Sequence, residues 1–293
     1  MDVKIKIYSA MPPPAKRVLT ASYIRMRKVR EWIAKELQPL PPQGQAPRIV
    51  YVTGFPRSGT TLLKYFYGSH PGLRQTTFNP AGFHHAWRLA QAYEGDEILI
   101  DKSNHYIYAL ETMFEALGDA IRICVIVRDP RDCIASLIHY GENREVPRSP
   151  AFWAYWGKQH AKLIDLACHH PLRDQLHLVR YEDLVRFPTE AKAAFLRWLD
   201  FDVTPHQLDR SYEVQHPGEG WHDSVFEQRE VSAGALQKWQ SVSDPPGWAA
   251  ELIPAWQDDP GIAATMASLG YTAEGFGAPD LENLENLFRP ASA

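Results

Sequence analysis

The chain has 293 residues, 45% of them hydrophobic and 23% charged, with a formal net charge of −4. That composition is ordinary for a globular protein and excludes a disordered or fibrous chain; the slight acidic excess argues against a general nucleic-acid binder. Three cysteines, Cys124, Cys133 and Cys168, without CxxC spacing, speak against a disulfide framework or a thiolate zinc site and fit a reduced, cytoplasmic setting.

A chain of this length buries a core that needs neither disulfide nor metal to fold. No apolar run approaches the ~18 residues that span a bilayer, so no integral membrane segment is expected. The stretch Met1 to Ile7 alternates charged and apolar residues and lacks the apolar core of a signal peptide. Basic residues gather between Lys16 and Lys35 and acidic ones between Asp244 and Glu285, a bias that solvated faces explain.

Arg17 to Leu37 contains neither Gly nor Pro and spaces Val18, Tyr23, Ile24, Trp32, Ile33 and Leu37 in partial amphipathic register, which predicts a helix. Pro39, Pro41, Pro42 and Gly44 end it. The β-rich run from Arg48 to Thr53 predicts a buried strand, followed by a Gly-containing loop and a helix over about Gly59 to Gly68. The rhythm repeats: strand at Ile98 to Ile100, helix at Tyr106 to Leu117, strand at Ile121 to Val127, and a helix entered at Pro130 and running to about Tyr140. A longer helix over Phe152 to Ala167, a fourth strand at Leu176 to Val179 and a helix at Thr189 to Leu199 follow, then a weaker pattern and a final helix pair between Trp248 and Leu269. Alternating strands and helices predict an α/β fold with a central parallel sheet flanked by helices, in one domain.

The sharpest motif is Val52-Thr53-Gly54-Phe55-Pro56-Arg57-Ser58-Gly59-Thr60-Thr61-Leu62, which leaves the first strand and opens a helix. Backbone N–H groups in such a turn, with the positive end of the helix, form an anion site. Gly54 and Gly59 allow close backbone approach, and Ser58, Thr60 and Thr61 add hydroxyls. The two glycines keep the spacing of the nucleotide P-loop, but Thr60 stands where its lysine belongs and the cation moves to Arg57. An ordinary strand–turn–helix corner is the plain alternative.

Phe55-Pro56-Arg57-Ser58-Gly59-Thr60-Thr61 resembles the 5′-phosphosulfate loop of sulfotransferases that use 3′-phosphoadenosine-5′-phosphosulfate (PAPS). Many soluble members carry Lys at the place of Arg57; arginine there is similar to the tyrosylprotein sulfotransferases and numerous bacterial members. Val125-Ile126-Val127-Arg128-Asp129-Pro130-Arg131-Asp132, with Ser136 eight residues after Arg128, resembles the family's 3′-phosphate site in residue type and spacing. A guanidinium can grip a phosphate bidentately while the hydroxyl donates a further bond. Tyr181 in Arg180-Tyr181-Glu182-Asp183-Leu184 resembles the tyrosine that lies by the adenine, and Lys238 in Gly234-Ala235-Leu236-Gln237-Lys238-Trp239 resembles a late lysine that approaches donor phosphate. Many soluble members stack adenine on a Trp just after the Thr-Thr pair; Leu62 stands there here.

The resemblance spans about Val50 to Trp239 and implies a P-loop-like sulfotransferase fold. One sulfotransferase domain is expected, with a helical extension over 1–47, a nucleotide-binding core over 48–240 and a C-terminal helical segment over 241–293. The resemblance further implies PAPS as donor, no metal, a small-molecule hydroxyl or amine as acceptor, and release of adenosine 3′,5′-bisphosphate (PAP). Arg57 is the candidate cation at the bridging oxygen, where charge grows as the bond breaks. Lys102, at the end of a strand, is the second candidate; a loop lysine paired with Asp101 is its plain alternative.

The acceptor's proton needs a base. Soluble members place a His two residues after the lysine, where this chain has Asn104 followed by His105. Tyrosylprotein enzymes use a Glu about twenty residues past the loop Arg; Gln75 to Phe78 holds no acid. His105 is therefore the first candidate base, with His84 and His85 next. Phe83, Trp87, Trp153, Tyr155 and Trp156 are candidates for an aromatic acceptor wall or, alternatively, for core; Ser224 to Glu230 is a candidate lid. Two other readings compete: a P-loop kinase using nucleoside triphosphate, and a non-catalytic nucleotide-binding protein.

Overall fold

In the computed structural model, the residues described are 49–76, 83–104, 106–108, 110–117, 121–139, 150–212, 230–231, 234, 236–240, 259–272, 275–277 and 287–288. The chain divides into Met1–Gln45 and Ala46–Ala293, and every described residue belongs to the second unit. The helix expected over Arg17 to Leu37 and, apart from Glu230, the lid expected over Ser224 to Glu230 lie outside the described residues.

Five strands form one sheet: β1 (Ile49–Gly54), β2 (Leu73–Gln75), β3 (Ile98–Lys102), β4 (Ile123–Val127) and β5 (Leu176–Arg180), in the order β2-β3-β1-β4-β5. Every pairing is parallel. All residues of β1, β4 and β5 are buried, as expected for a parallel sheet covered on both faces. Isoleucine and valine at Ile49, Val50, Val52, Ile123, Val125, Ile126 and Val127 supply the stiff, branched side chains that suit it.

The helices are α1 (Thr60–Tyr67), α2 (Phe83–Ala92), α3 (Leu110–Leu117), α4 (Pro130–His139), α5 (Pro150–His169), α6 (Tyr181–Arg186), α7 (Pro188–Trp198) and α8 (Pro260–Ser268). Against one face of the sheet, Leu63, Phe66 and Tyr67 of α1 and Phe195 and Leu196 of α7 pack with Val50, Val52, Ile100, Cys124, Ile126 and Val179. Tyr67 and Phe195 stack with centroids 4.0 Å apart. Residue alternation turns Tyr51 to the other face, where its ring meets Tyr106 edge-on at 5.3 Å.

Local chemistry explains the helix starts. Pro130, Pro188 and Pro260 open α4, α7 and α8, at positions whose N–H would lack a partner in any case. The Asp259 carboxylate also accepts the N–H groups of Gly261 and Ile262, at 2.9 and 3.1 Å.

The predicted strands and helices correspond to β1, β3, β4, β5, α1, α4, α5 and α7. Three differences stand out. The single helix expected over Tyr106 to Leu117 is a 3-10 turn, Tyr106–Tyr108, followed by α3. β2, α2 and α6 were not expected from the sequence; β2 has three residues at a sheet edge, α2 buries Ala86, Trp87 and Ala90, and α6 is a six-residue helix directly after β5. Of the final helix pair, α8 is described and 248–258 lie outside the described residues. Among the described residues no helix is long and apolar enough to cross a membrane.

Candidate active site

The sheet order fixes where a ligand can sit. From β1 the chain crosses to β2 and β3 on one side, and from β4 it proceeds to β5 on the other. The crevice at the carboxyl ends of β1 and β4 is therefore the switch point of the sheet, where ligands of open α/β folds bind. The candidate motifs leave the sheet at this edge: the loop after Gly54, Lys102 at the end of β3, Arg128 after β4 and Tyr181 after β5.

The loop after β1 turns tightly, with Ser58 N–H donating to the Phe55 carbonyl at 3.0 Å. Arg57 has a positive φ of 71°, uncommon for a residue with a side chain, and Gly59 has φ 101°. A Cβ on Gly54 would stand 2.4 Å from the Ile126 carbonyl oxygen and 2.5 Å from Ser58 Oγ, so only glycine lets β1, β4 and the loop approach this closely. Gly59 precedes α1 as its N-cap without a side-chain cap, leaving the first-turn N–H groups available to an anion. Ser58 Oγ is buried and has no hydrogen-bond partner among the described residues.

The two basic corners meet. Arg57 Nε donates to Ser136 Oγ at 3.0 Å, joining the first loop to α4. Arg128 donates to the Arg57 carbonyl at 3.0 Å and stacks over the Tyr181 ring, its guanidinium carbon 4.1 Å from the centroid. Tyr181 in turn lies against Gly59, where a Cβ would meet its Cδ2 at 2.7 Å. Arg57, Gly59, Arg128, Ser136 and Tyr181, distant in sequence, thus form one contiguous wall. Leu62 packs against the core beneath it.

The end of β3 is stitched to the same loop. Thr53 Oγ1 donates to the Ser103 carbonyl at 2.9 Å, Ser103 N–H donates to the Val52 carbonyl at 3.1 Å, and Thr60 Oγ1 donates to Asn104 Oδ1 at 2.8 Å. Burial pulls the Lys102 pKa below its ordinary value; Asp101 opposes this and the Arg57 charge adds to it. The Asp101 carboxylate accepts the hydroxyls of Thr76 and Tyr106 in the interior. Beside it, burial lowers the Lys64 ammonium to about 8, and that group donates to the Thr76 carbonyl at 2.7 Å.

Behind the second corner lies a charged network that the motif reading overlooked. Asp129 N–H donates to Glu182 Oε1 and the Tyr271 hydroxyl donates to Glu182 Oε2, both at 2.9 Å. Arg131 clasps the Asp129 carboxylate, with Nη2 at 2.7 Å, and donates to the Gly275 carbonyl at 2.9 Å. Asp132 accepts the N–H groups of Gln237 and Trp239, at 2.9 and 3.1 Å. Four charged residues in the eight-residue run Val125–Asp132 were the available signal; what hid these roles is that most partners are backbone groups far along the chain.

The other candidates are placed in part. Lys238 belongs to a 3-10 turn, Lys238–Gln240, beside α4. His84 and His85 lie on α2 and Trp153 on α5, with side chains outside the described residues, as is the whole of His105. Trp87 is 7% exposed, and its Nε1 has no hydrogen-bond partner among the described residues.

The residues that could hold a nucleotide phosphorylated on both its 3′ and 5′ sides are the glycine cradle with Ser58 Oγ, which has no partner among the described residues, on one side, and Arg128 with Ser136 on the other. Residues 77–205, less than half of the chain, match the model of the sulfotransferase family. That stretch includes Lys102, Arg128, Ser136 and Tyr181 and begins after the Phe55–Thr61 loop. No curated protein sequence matches the chain. Among solved structures, a sulfotransferase domain from the curacin biosynthetic pathway is similar with a TM-score of 0.56 at 18% identity, over 78% of this chain and 99% of its own. The sulfotransferase domain of the olefin synthase from Synechococcus PCC 7002 is similar with a TM-score of 0.55 at 20% identity, over 74% and 96%. A mouse sulfotransferase complexed with PAP has a TM-score of 0.47 at 14% identity, over 75% and 84%. The likeness to the curacin-pathway and olefin-synthase domains shows the sulfotransferase fold, and residues 77–205 match the sulfotransferase family.

Proposed function

We propose that this protein is a PAPS-dependent sulfotransferase that moves a sulfuryl group to a hydroxyl or amine of a small molecule and releases PAP. The observation that carries the reading is the contact of Arg57 with Ser136 and of Arg128 with the Arg57 carbonyl, which supports reading the two corners as one phosphate-binding site. Bound PAPS supplies the sulfuryl group and a leaving phosphate that is already a weak base. Arg57 supplies positive charge and hydrogen bonds at the bridging oxygen rather than a proton. Lys102 adds a second cation near the transferring group. Ser58, Gly59, Thr60 and Thr61 hold the 5′ side through the loop and the start of α1. Arg128 and Ser136 hold the 3′-phosphate, Tyr181 borders the adenine, and Lys238 contributes a further contact to donor phosphate. His105 takes the acceptor proton, with His84 and His85 as the next candidates, and Trp87 and Trp153 line the acceptor side.

The kinase alternative is weakened at Thr60. This residue stands where a P-loop lysine would reach the β/γ-phosphates, and its hydroxyl donates instead to Asn104. Thermal shift measured with PAP and with ATP plus magnesium tests the choice. The sulfotransferase reading expects the larger stabilisation from PAP; preferential stabilisation by ATP with magnesium would overturn it.

A further inference from the structure

We infer that Asp132 is a positioning residue that seats the Lys238 segment against the Arg128 corner, so that both cations engage one phosphate-bearing ligand together. The inference rests on the sulfotransferase reading for the identity of the ligand, but the clamp itself rests on geometry. Asp132 lies in the first turn of α4 and is 1% exposed. Its Oδ2 accepts the Gln237 N–H at 2.9 Å and its Oδ1 accepts the Trp239 N–H at 3.1 Å. One carboxylate therefore grips the backbone immediately before and immediately after Lys238. The same Oδ2 lies 3.6 Å from Arg128 Nη2, one turn back along the chain. Asp132 is thus the shared partner of the two segments that hold Arg128 and Lys238.

Two further observations indicate that the segment needs an external hold. Gln237 has a positive φ of 51°, a conformation that persists in a residue with a side chain only when its surroundings impose it. Arg131, the neighbour of Asp132, stacks on Trp239 with its guanidinium carbon 4.1 Å from the ring centroid. The first turn of α4 therefore holds the 236–240 turn by two charge-assisted backbone bonds and one cation–π contact. If the carboxylate is lost, Lys238 remains in the chain but its backbone loses the fixed distance to Arg128.

The test is a double-mutant cycle read by calorimetric PAP binding, with hydrogen exchange as a second readout. Asp132→Asn is expected to weaken PAP binding about tenfold, the scale of one lost charge-assisted bond. Because it acts mainly through the Lys238 segment, most of the Asp132→Asn penalty should disappear in a Lys238→Ala background, leaving only the direct effect of its charge on Arg128. Penalties that multiply in the double variant would overturn the inference. In the ligand-free protein, exchange of the amides at 237 and 239 should accelerate in Asp132→Asn, and unchanged exchange would also overturn it. Asp132→Glu keeps the charge beside Arg128 and carries the same two readouts if the Asn variant folds poorly. Wild-type protein that binds no PAP would defeat the sulfotransferase reading, while the exchange experiment would still decide whether Asp132 holds the segment.

Discussion

Replacing Arg128 with alanine isolates the second corner. In the structure its guanidinium donates to the Arg57 carbonyl at 3.0 Å, lies 3.6 Å from Asp132 and covers the Tyr181 ring at 4.1 Å. Its proposed ligand contact is charge-assisted, so removing it should cost about 1.5–3 kcal/mol, or on the order of 10- to 150-fold in Kd. The substitution also leaves the buried Asp132 carboxylate without that neighbour and loosens the first loop, so a fall in PAP affinity alone would be ambiguous. Titrating AMP, which lacks the 3′-phosphate, removes the ambiguity, since it reports the integrity of the rest of the site. PAP affinity should fall by the stated factor and AMP affinity should change by less than about threefold, erasing most of the wild-type preference for PAP. Equal weakening of both ligands, or an unchanged preference, would refute the assignment of Arg128 to the 3′-phosphate.

Arg57→Ala should lower turnover by at least about 100-fold while leaving PAP affinity within about tenfold of wild type, because the charge it supplies matters most as the bond breaks; steady-state kinetics beside calorimetry checks the split, and unchanged turnover would contradict it. Gly59→Ala forces a side chain into φ 101° and within 2.7 Å of Tyr181 Cδ2. It should destabilise the protein by about 2 kcal/mol in urea titration, and a loss below about 0.5 kcal/mol would contradict the close approach. Glu182 tests the network behind the corner, since burial raises its carboxyl from 4.5 to about 7. With a pKa raised on folding, its contribution is fully present below about pH 4.5 and is lost as pH rises through about 7, a change of roughly 3 kcal/mol. Stability of Glu182→Gln relative to wild type should therefore rise across that window. The comparison cancels His177, whose burial lowers its pKa from 6.5 to about 3 and gives the opposite slope; a flat difference would contradict the burial argument.

The parts of this fold that were legible in the sequence are those with dense local signals. The branched apolar runs of β1 and β4 and the Gly-rich turn into α1 announce themselves within a dozen residues. The three-residue β2 does not, because Leu73-Arg74-Gln75 carries no alternation that distinguishes it from a loop; its strand character comes from pairing with β3. α2 carried a weak signal in the spacing of Ala86, Trp87 and Ala90 that the aromatic reading of Phe83 and Trp87 obscured. At the site, Arg57, Arg128 and Ser136 were legible as motifs, but their mutual contact was not, since it depends on β1 and β4 being neighbours. The roles of Asp132 and Glu182 were hidden for a related reason. Their partners are mostly backbone N–H groups, and every residue except proline has one.

The central claim is that the two corners hold one activated-sulfate donor for transfer. Incubation with radiolabelled PAPS and a panel of phenols, sugars, aliphatic alcohols, amines and tyrosine peptides tests it most directly. Label should pass to at least one acceptor with one PAP released for each sulfuryl group transferred, and Arg57→Ala should abolish the transfer. Intact PAP binding with no label transferred to any member of the panel would contradict the account and favour a nucleotide-binding protein without catalysis.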